Sequence, residues 1–192
     1  DENRIAIVIA DVSGDGVPAA LIMAAFRALL RYNAKLFSDP AKLMHLMNEH
    51  VAEFMRKRDF ISIFYGILNY RDHSFTFCNC GHNPALHYNS TGTKLLEGGG
   101  PSLNLLKEAE FKTSKISLGN NEQILFYTDG VVEVFSKDKR QFGLDRLISV
   151  FNSNSDKSPN EIIEKIIYTT KEFSLSDFYN DDFTLLVLKR ND

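Results

Sequence analysis

Three carboxylates stand at the ends of apolar runs in this chain. Asp11 closes the run Ile5–Ala10, Asp129 follows ILFYT and precedes Gly130, and Asp181 with Asp182 leads into FTLLVLKR. A carboxylate at a strand end is rigidly placed and close to solvent. Three of them beside sharp turns can converge on a hard cation, which prefers oxygen ligands and keeps several of its waters. A lone Asp-Gly would be better explained as a turn cap. Three acids in the same local setting favour a site for Mg²⁺ or Mn²⁺.

The elements that must position them can be read from the surrounding pattern. Ile5–Ala10 is an unbroken run of β-formers, which suits a strand covered on both faces. Asp11–Gly16 is a tight polar turn in which Gly14 and Gly16 let the chain reverse, and Pro18 is tolerated in a helix's first turn. The segment Val17–Phe37 is expected to be a helix buried on more than one face, because it is apolar almost all round. Ser38-Asp39-Pro40 caps a second helix, from about Pro40 to Arg56.

Phe60–Asn69 and Ser74–Cys80 then read as a hairpin, and Gly81-His82-Asn83-Pro84 turns into Ala85–Tyr88. His82 is expected to fix that turn by bonding the local backbone. Glu97–Pro101, EGGGP, reads as a flexible glycine loop. Two more strands, Phe111–Leu118 and Gln123–Thr128, precede a helix from Phe142 toward Phe151 and another that begins at Pro159. The middle strands lack crossover helices, so interleaved parallel units are excluded and sheets with helices outside are expected, an α+β fold.

Composition narrows the class. The chain has 192 residues, 44% hydrophobic and 24% charged, with a net charge of −3. That is long enough for one domain with a proper core. The charge argues against a nucleic-acid surface, which needs a basic stripe. No apolar run is long enough to cross a membrane, so no membrane insertion is expected. Cys78 and Cys80 are two apart in a strand, poorly placed for a disulfide and too few for a zinc site, and suit packed, reduced thiols in a cytoplasmic protein.

Six segments, IADVSGDGVPAALIM, DFISIFYGILN, CNCGHNPAL, ILFYTDGVVE, FGLDRL and DDFTLLVLK, resemble in order the motifs of the PPM-type (PP2C-like) serine/threonine phosphatases, in the bacterial branch of the SpoIIE and RsbU kind. The resemblance covers nearly the whole chain. It implies a four-layer αββα sandwich of antiparallel sheets flanked by helices, lacking its first strand, with residues 1–192 a single phosphatase domain trimmed at its start. It implies that Asp11 bridges two Mn²⁺ or Mg²⁺ ions, that the Val12 carbonyl binds one of them, and that Asp129 and Asp181 hold the other. Asp182 would orient a neighbour or a metal-bound water, and Asp15 occupies a tolerant position without a ligand role.

Such ions would share a water, lower its pKa and orient the phosphate for in-line attack without a phospho-enzyme. The implied substrate is a phosphorylated STAS-type anti-sigma antagonist. The alternative is a catalytically weak domain of the same fold serving as a regulatory binding module, because the family's preceding acidic strand is missing and metal would be held weakly. Excess apolar surface on Val17–Arg56, or the sheet edge left open beside Ile5–Ala10, could support a homodimer.

Overall fold

The computed structural model describes residues 2–174 and 181–191. The elements run β1 (Arg4–Val12), α1 (Gly16–Asn33), α2 (Pro40–Phe54), β2 (Ile61–Asn69), β3 (Ser74–Cys80), β4 (Ala85–Asn89), β5 (Gly92–Leu96), β6 (Gly99–Gly100), β7 (Ser114–Ser117), β8 (Gln123–Tyr127), α3 (Asp129–Val132), α4 (Gly143–Ser153), α5 (Pro159–Ser174) and β9 (Leu185–Lys189). Contacts group them into two compact units. The first holds Asp1–His82 and Glu97–Ser117, the second Asn83–Leu96 and Leu118–Asp192.

In the first unit β1, β2 and β3 lie side by side, antiparallel, with β7 antiparallel on β3. Side chains alternate between faces. Ala10 and Val12 of β1, Ile61, Ile63, Tyr65 and Ile67 of β2, and Cys78 and Cys80 of β3 pack with Phe26 and Leu30 of α1 and with Leu43, Met44, Met47 and Val51 of α2. Burying each Leu or Met fully contributes about 1.5–3 kcal/mol. The opposite face carries Ile7, Ile9, Phe64, Phe75 and Phe77, and the Phe64 and Phe77 rings stack with centroids 5.1 Å apart. The helix start read at Asp39 holds, since the Asp39 carboxylate accepts from the Ala41 amide at 3.0 Å with Pro40 as the first helical residue.

Three expectations for this unit are corrected. The first helix ends at Asn33, not Phe37. The buried Asn33 amide donates to the Leu29 carbonyl at 2.9 Å, and the chain leaves through a turn in which the Leu36 amide donates to the Asn33 carbonyl. That helix is also not buried on several faces: Val17, Leu21, Met23 and Tyr32 are each more than half exposed. Finally, the glycine run is not a loose loop. Gly99 and Gly100 form β6, a short parallel pair with Asn79 and Cys80. Only glycine permits this, because Gly99 has φ +141° and a Cβ there would lie 2.4 Å from the Asn79 carbonyl oxygen.

The two cysteines are free and buried, with their sulfurs 3.5 Å apart. The hydrogen bond with Cys78 and burial both push the Cys80 thiol up, so it stays protonated and inert.

In the second unit all strand pairs are antiparallel, in the order β5-β4-β8-β9. Leu86, Leu125 and Tyr127 of the sheet pack with Phe142, Leu147 and Phe151 around α4 and with Ile162 and Ile166 of α5. The spacing of four between those isoleucines is the apolar stripe read from the sequence. Ser158 and Glu161 cap α5 reciprocally: the Glu161 carboxylate accepts from the Ser158 amide at 2.9 Å and from its hydroxyl at 2.7 Å. None of the described helices is long and apolar enough to cross a membrane.

Candidate metal centre

In the second unit β8 runs out at Tyr127, and Thr128 begins the turn into α3. Thr128 is buried and ties two chain segments together. Its amide donates to the Thr184 carbonyl at 3.2 Å. Its hydroxyl donates to the Asp182 carbonyl at 2.7 Å and accepts from the Thr184 amide at 2.9 Å. The last strand begins beyond this latch, two residues later than the expected start at Phe183. β9 starts at Leu185, and Asp181 lies in an irregular segment whose backbone is satisfied by Thr128 instead of by a ladder.

The latch brings the sequence-predicted Asp129 and Asp181 together, and adds Glu133. One oxygen from each of the three carboxylates lies within 4.8 Å of the others. Glu133 follows Asp129 by four residues, and its amide donates to the Asp129 carbonyl at 2.8 Å, so the helical turn of α3 brings it back over Asp129. Asp129 is half-buried, and Glu133 and Asp181 are exposed. Asp129 accepts from the Gly130 amide at 2.9 Å, and Asp181 accepts from the Asp182 amide at 2.8 Å. Asp129 and Asp181 thus each have one oxygen engaged locally and further lone pairs available. Three clustered carboxylates form a hard, oxygen-only donor set, which fits Mg²⁺ or Mn²⁺ and does not suit a soft metal. Tyr127, two residues before Asp129, packs in the core of this unit, where burial pushes its hydroxyl up to about 12.

Asp11 and Val12 belong to the first unit, and Asp11 is not a member of the Asp129–Glu133–Asp181 cluster. Asp11 lies within β1, one residue before its end, not beyond the strand as expected. The pairing runs on past the strand: the Ser13 amide donates to the Phe60 carbonyl at 3.0 Å, and the Phe60 amide donates to the Ser13 hydroxyl at 2.8 Å. Paired positions alternate along an antiparallel ladder, so the Val12 carbonyl faces away from β2. Gly14 and Gly16, at φ +91° and +66°, then turn the chain into α1, which starts at Gly16 with Asp15 as its N-cap. Asp15 makes no side-chain capping bond.

Valine in place of Thr128 preserves shape and removes the two hydroxyl bonds of the latch, leaving the amide bond to the Thr184 carbonyl. The Asp182 carbonyl and the Thr184 amide both lose their partner, at about 1–3 kcal/mol for each group left unsatisfied. The midpoint of thermal unfolding should fall by about 2–4 °C per kcal/mol lost. Mn²⁺ affinity should fall with it, because Asp181 is held less firmly against Asp129. Melting curves and calorimetric titration check the two effects separately.

Phosphoserine phosphatase RsbU of Bacillus subtilis (strain 168) is 28% identical over 194 residues, covering 99% of this chain and 57% of that protein. The chain therefore spans little more than half the length of that relative. Among solved structures, the RsbU and RsbW domains of a Mycobacterium tuberculosis protein align with a TM-score of 0.84 at 22% identity, over 98% of this chain and 54% of that one. The PP2C phosphatase domain of SpoIIE from Bacillus subtilis aligns with a TM-score of 0.82 at 16% identity, over 98% and 55%. These likenesses show the PP2C-like α+β fold that the motifs implied. With a family model matching residues 1–191, the chain belongs to the family described as Stage II sporulation protein E (SpoIIE).

Proposed function

We propose that residues 1–192 act as one catalytic domain that hydrolyses phosphoserine or phosphothreonine on a protein substrate, with Mn²⁺ or Mg²⁺ as cofactor. The observation that carries this reading is the convergence of Asp129, Glu133 and Asp181 across the Thr128 latch. Asp129 and Asp181, with Glu133 beside them, would hold one ion, and Asp11 with the Val12 carbonyl would complete a two-ion site as the family resemblance implies. A bound divalent ion supplies an acidified water and neutralises charge on the phosphoryl group. The chain's own part is positioning. Thr128 keeps Asp181 against Asp129, Gly130 allows the two segments to approach, and the continued β1–β2 pairing holds Asp11 at a rigid strand end.

The name of RsbU, a phosphoserine phosphatase, supports phosphoserine as the substrate, and the resemblance to its branch supports a STAS-type protein. The exposed apolar residues Val17, Leu21, Met23 and Tyr32 of α1 support a further reading, self-association through the helical pair.

The test is hydrolysis of p-nitrophenyl phosphate and of a phosphoserine protein, with Mn²⁺, with Mg²⁺ and after chelation. Turnover that requires the ion and returns on its re-addition is expected. Metal binding without turnover on either substrate would count against the enzyme reading and favour a regulatory binding module.

A further inference from the structure

The first unit contains a polar arrangement that its core does not need. Ser62 of β2 is the residue directly opposite Asp11 in the β1–β2 register, so the two side chains are neighbours on one face, with Cβ atoms about 4.5–5.5 Å apart. The Ser62 hydroxyl lies 2.8 Å from Nδ1 of His82, which is 7% exposed. His82 is not the residue that fixes its own turn, contrary to the sequence reading. Asn79 does that: its amide group donates to the His82 carbonyl at 3.0 Å, and its carbonyl oxygen accepts from the His82 amide at 2.9 Å. Gly81, at φ +69°, seals the turn against Ser102, where a Cβ would lie 2.2 Å from the hydroxyl oxygen. The backbone of the turn is thus fixed, and the imidazole meets the Ser62 hydroxyl, whose cross-strand neighbour is Asp11.

We propose that Ser62 and His82 are positioning residues that orient the Asp11 carboxylate for a divalent cation. The inference rests on Asp11 being a ligand. A serine hydroxyl has one proton to give and can accept at the same time. With the proton on Nδ1, His82 donates to the Ser62 oxygen, and the Ser62 proton is directed to the carboxylate opposite. His82 anchors Ser62, and Ser62 selects one rotamer of Asp11. Partners of this outer kind typically cost about 10–100-fold in metal affinity when removed.

The experiment is calorimetric titration of Mn²⁺ into the wild-type chain and the variants Ser62→Ala, His82→Gln, His82→Asn and Asp11→Ala, with a melting curve for each. Asparagine places an amide near the position of Nδ1, whereas glutamine reaches the position of Nε2. Ser62→Ala and His82→Gln should each weaken Mn²⁺ binding by about 10–100-fold, and His82→Asn should restore it to within about threefold. The double variant Ser62→Ala/His82→Gln should be no worse than either single change, because the two residues act in series.

Nitrogen-15 NMR of the metal-free protein should show neutral His82 protonated on Nδ1. The opposite tautomer would consume the Ser62 proton and overturn the proposal. Ser62→Ala binding Mn²⁺ like the wild type, while Asp11→Ala binds weakly, would overturn it and leave the metal site standing. Unchanged binding by Asp11→Ala would overturn both.

Discussion

Asp129→Ala is expected to lower Mn²⁺-dependent hydrolysis of p-nitrophenyl phosphate by well over the roughly 100-fold that loss of an outer-shell partner costs, and Asp181→Ala to do the same. Both residues offer an oxygen to a point reached from two separate chain segments. In the metal-free protein the stability effect should have the opposite sign. Like charges within 4.8 Å of one another destabilise the folded state, so removing one relieves repulsion. The melting temperature of metal-free Asp129→Ala should therefore equal or exceed that of the wild type, and the stabilisation by added Mn²⁺ should shrink. An Asp129→Ala protein with full Mn²⁺-dependent turnover would remove Asp129 from the site.

Sequence reasoning reached these acids for a physical reason. A carboxylate that interrupts an apolar run at a strand end is conspicuous, and Asp11, Asp129 and Asp181 all do so. Glu133 does not stand at a strand end, so the pattern that marks the other acids passes over it. Its signal was present as the spacing of four from Asp129, which one helical turn converts into proximity. His82 reads as a turn-former because it is the conspicuous side chain of the turn, whereas the bonds come from the Asn79 side chain three residues earlier. The Glu97–Pro101 segment was misread for a related reason. Consecutive glycines signal freedom when isolated, but here they let a backbone approach that any Cβ would block. Helix α1 marks a further limit: its periodicity gives an apolar surface but not what covers it, and Val17, Leu21 and Met23 are exposed.

Gly130 shows how close approach sustains the site, and it carries the second large effect. An Asp-Gly pair taken alone reads as a turn cap, but Gly130 lies in α3. A Cβ at this position would meet the Asp182 carbonyl oxygen at 2.5 Å, its carbonyl carbon at 3.0 Å and the Asp181 carbonyl carbon at 3.3 Å. All three are backbone atoms, and the Thr128 hydroxyl holds the Asp182 carbonyl in place, so no side chain can swing away to make room. Gly130→Ala must displace the Asp181–Asp182 segment from Asp129. Overpacking of this kind costs about 1–3 kcal/mol, and a displacement near 1 Å at a reacting site can cost about 100-fold in rate. The expected result is a folded protein with a lowered melting temperature, a strongly reduced kcat and weak Mn²⁺ binding. Alanine at the exposed Gly14 meets nothing within 4 Å and is strained only by its φ of +91°, which separates backbone strain from crowding. If Gly130→Ala binds Mn²⁺ and turns over like the wild type, Asp181 is not held against Asp129 in the working protein, and the latch has no part in catalysis.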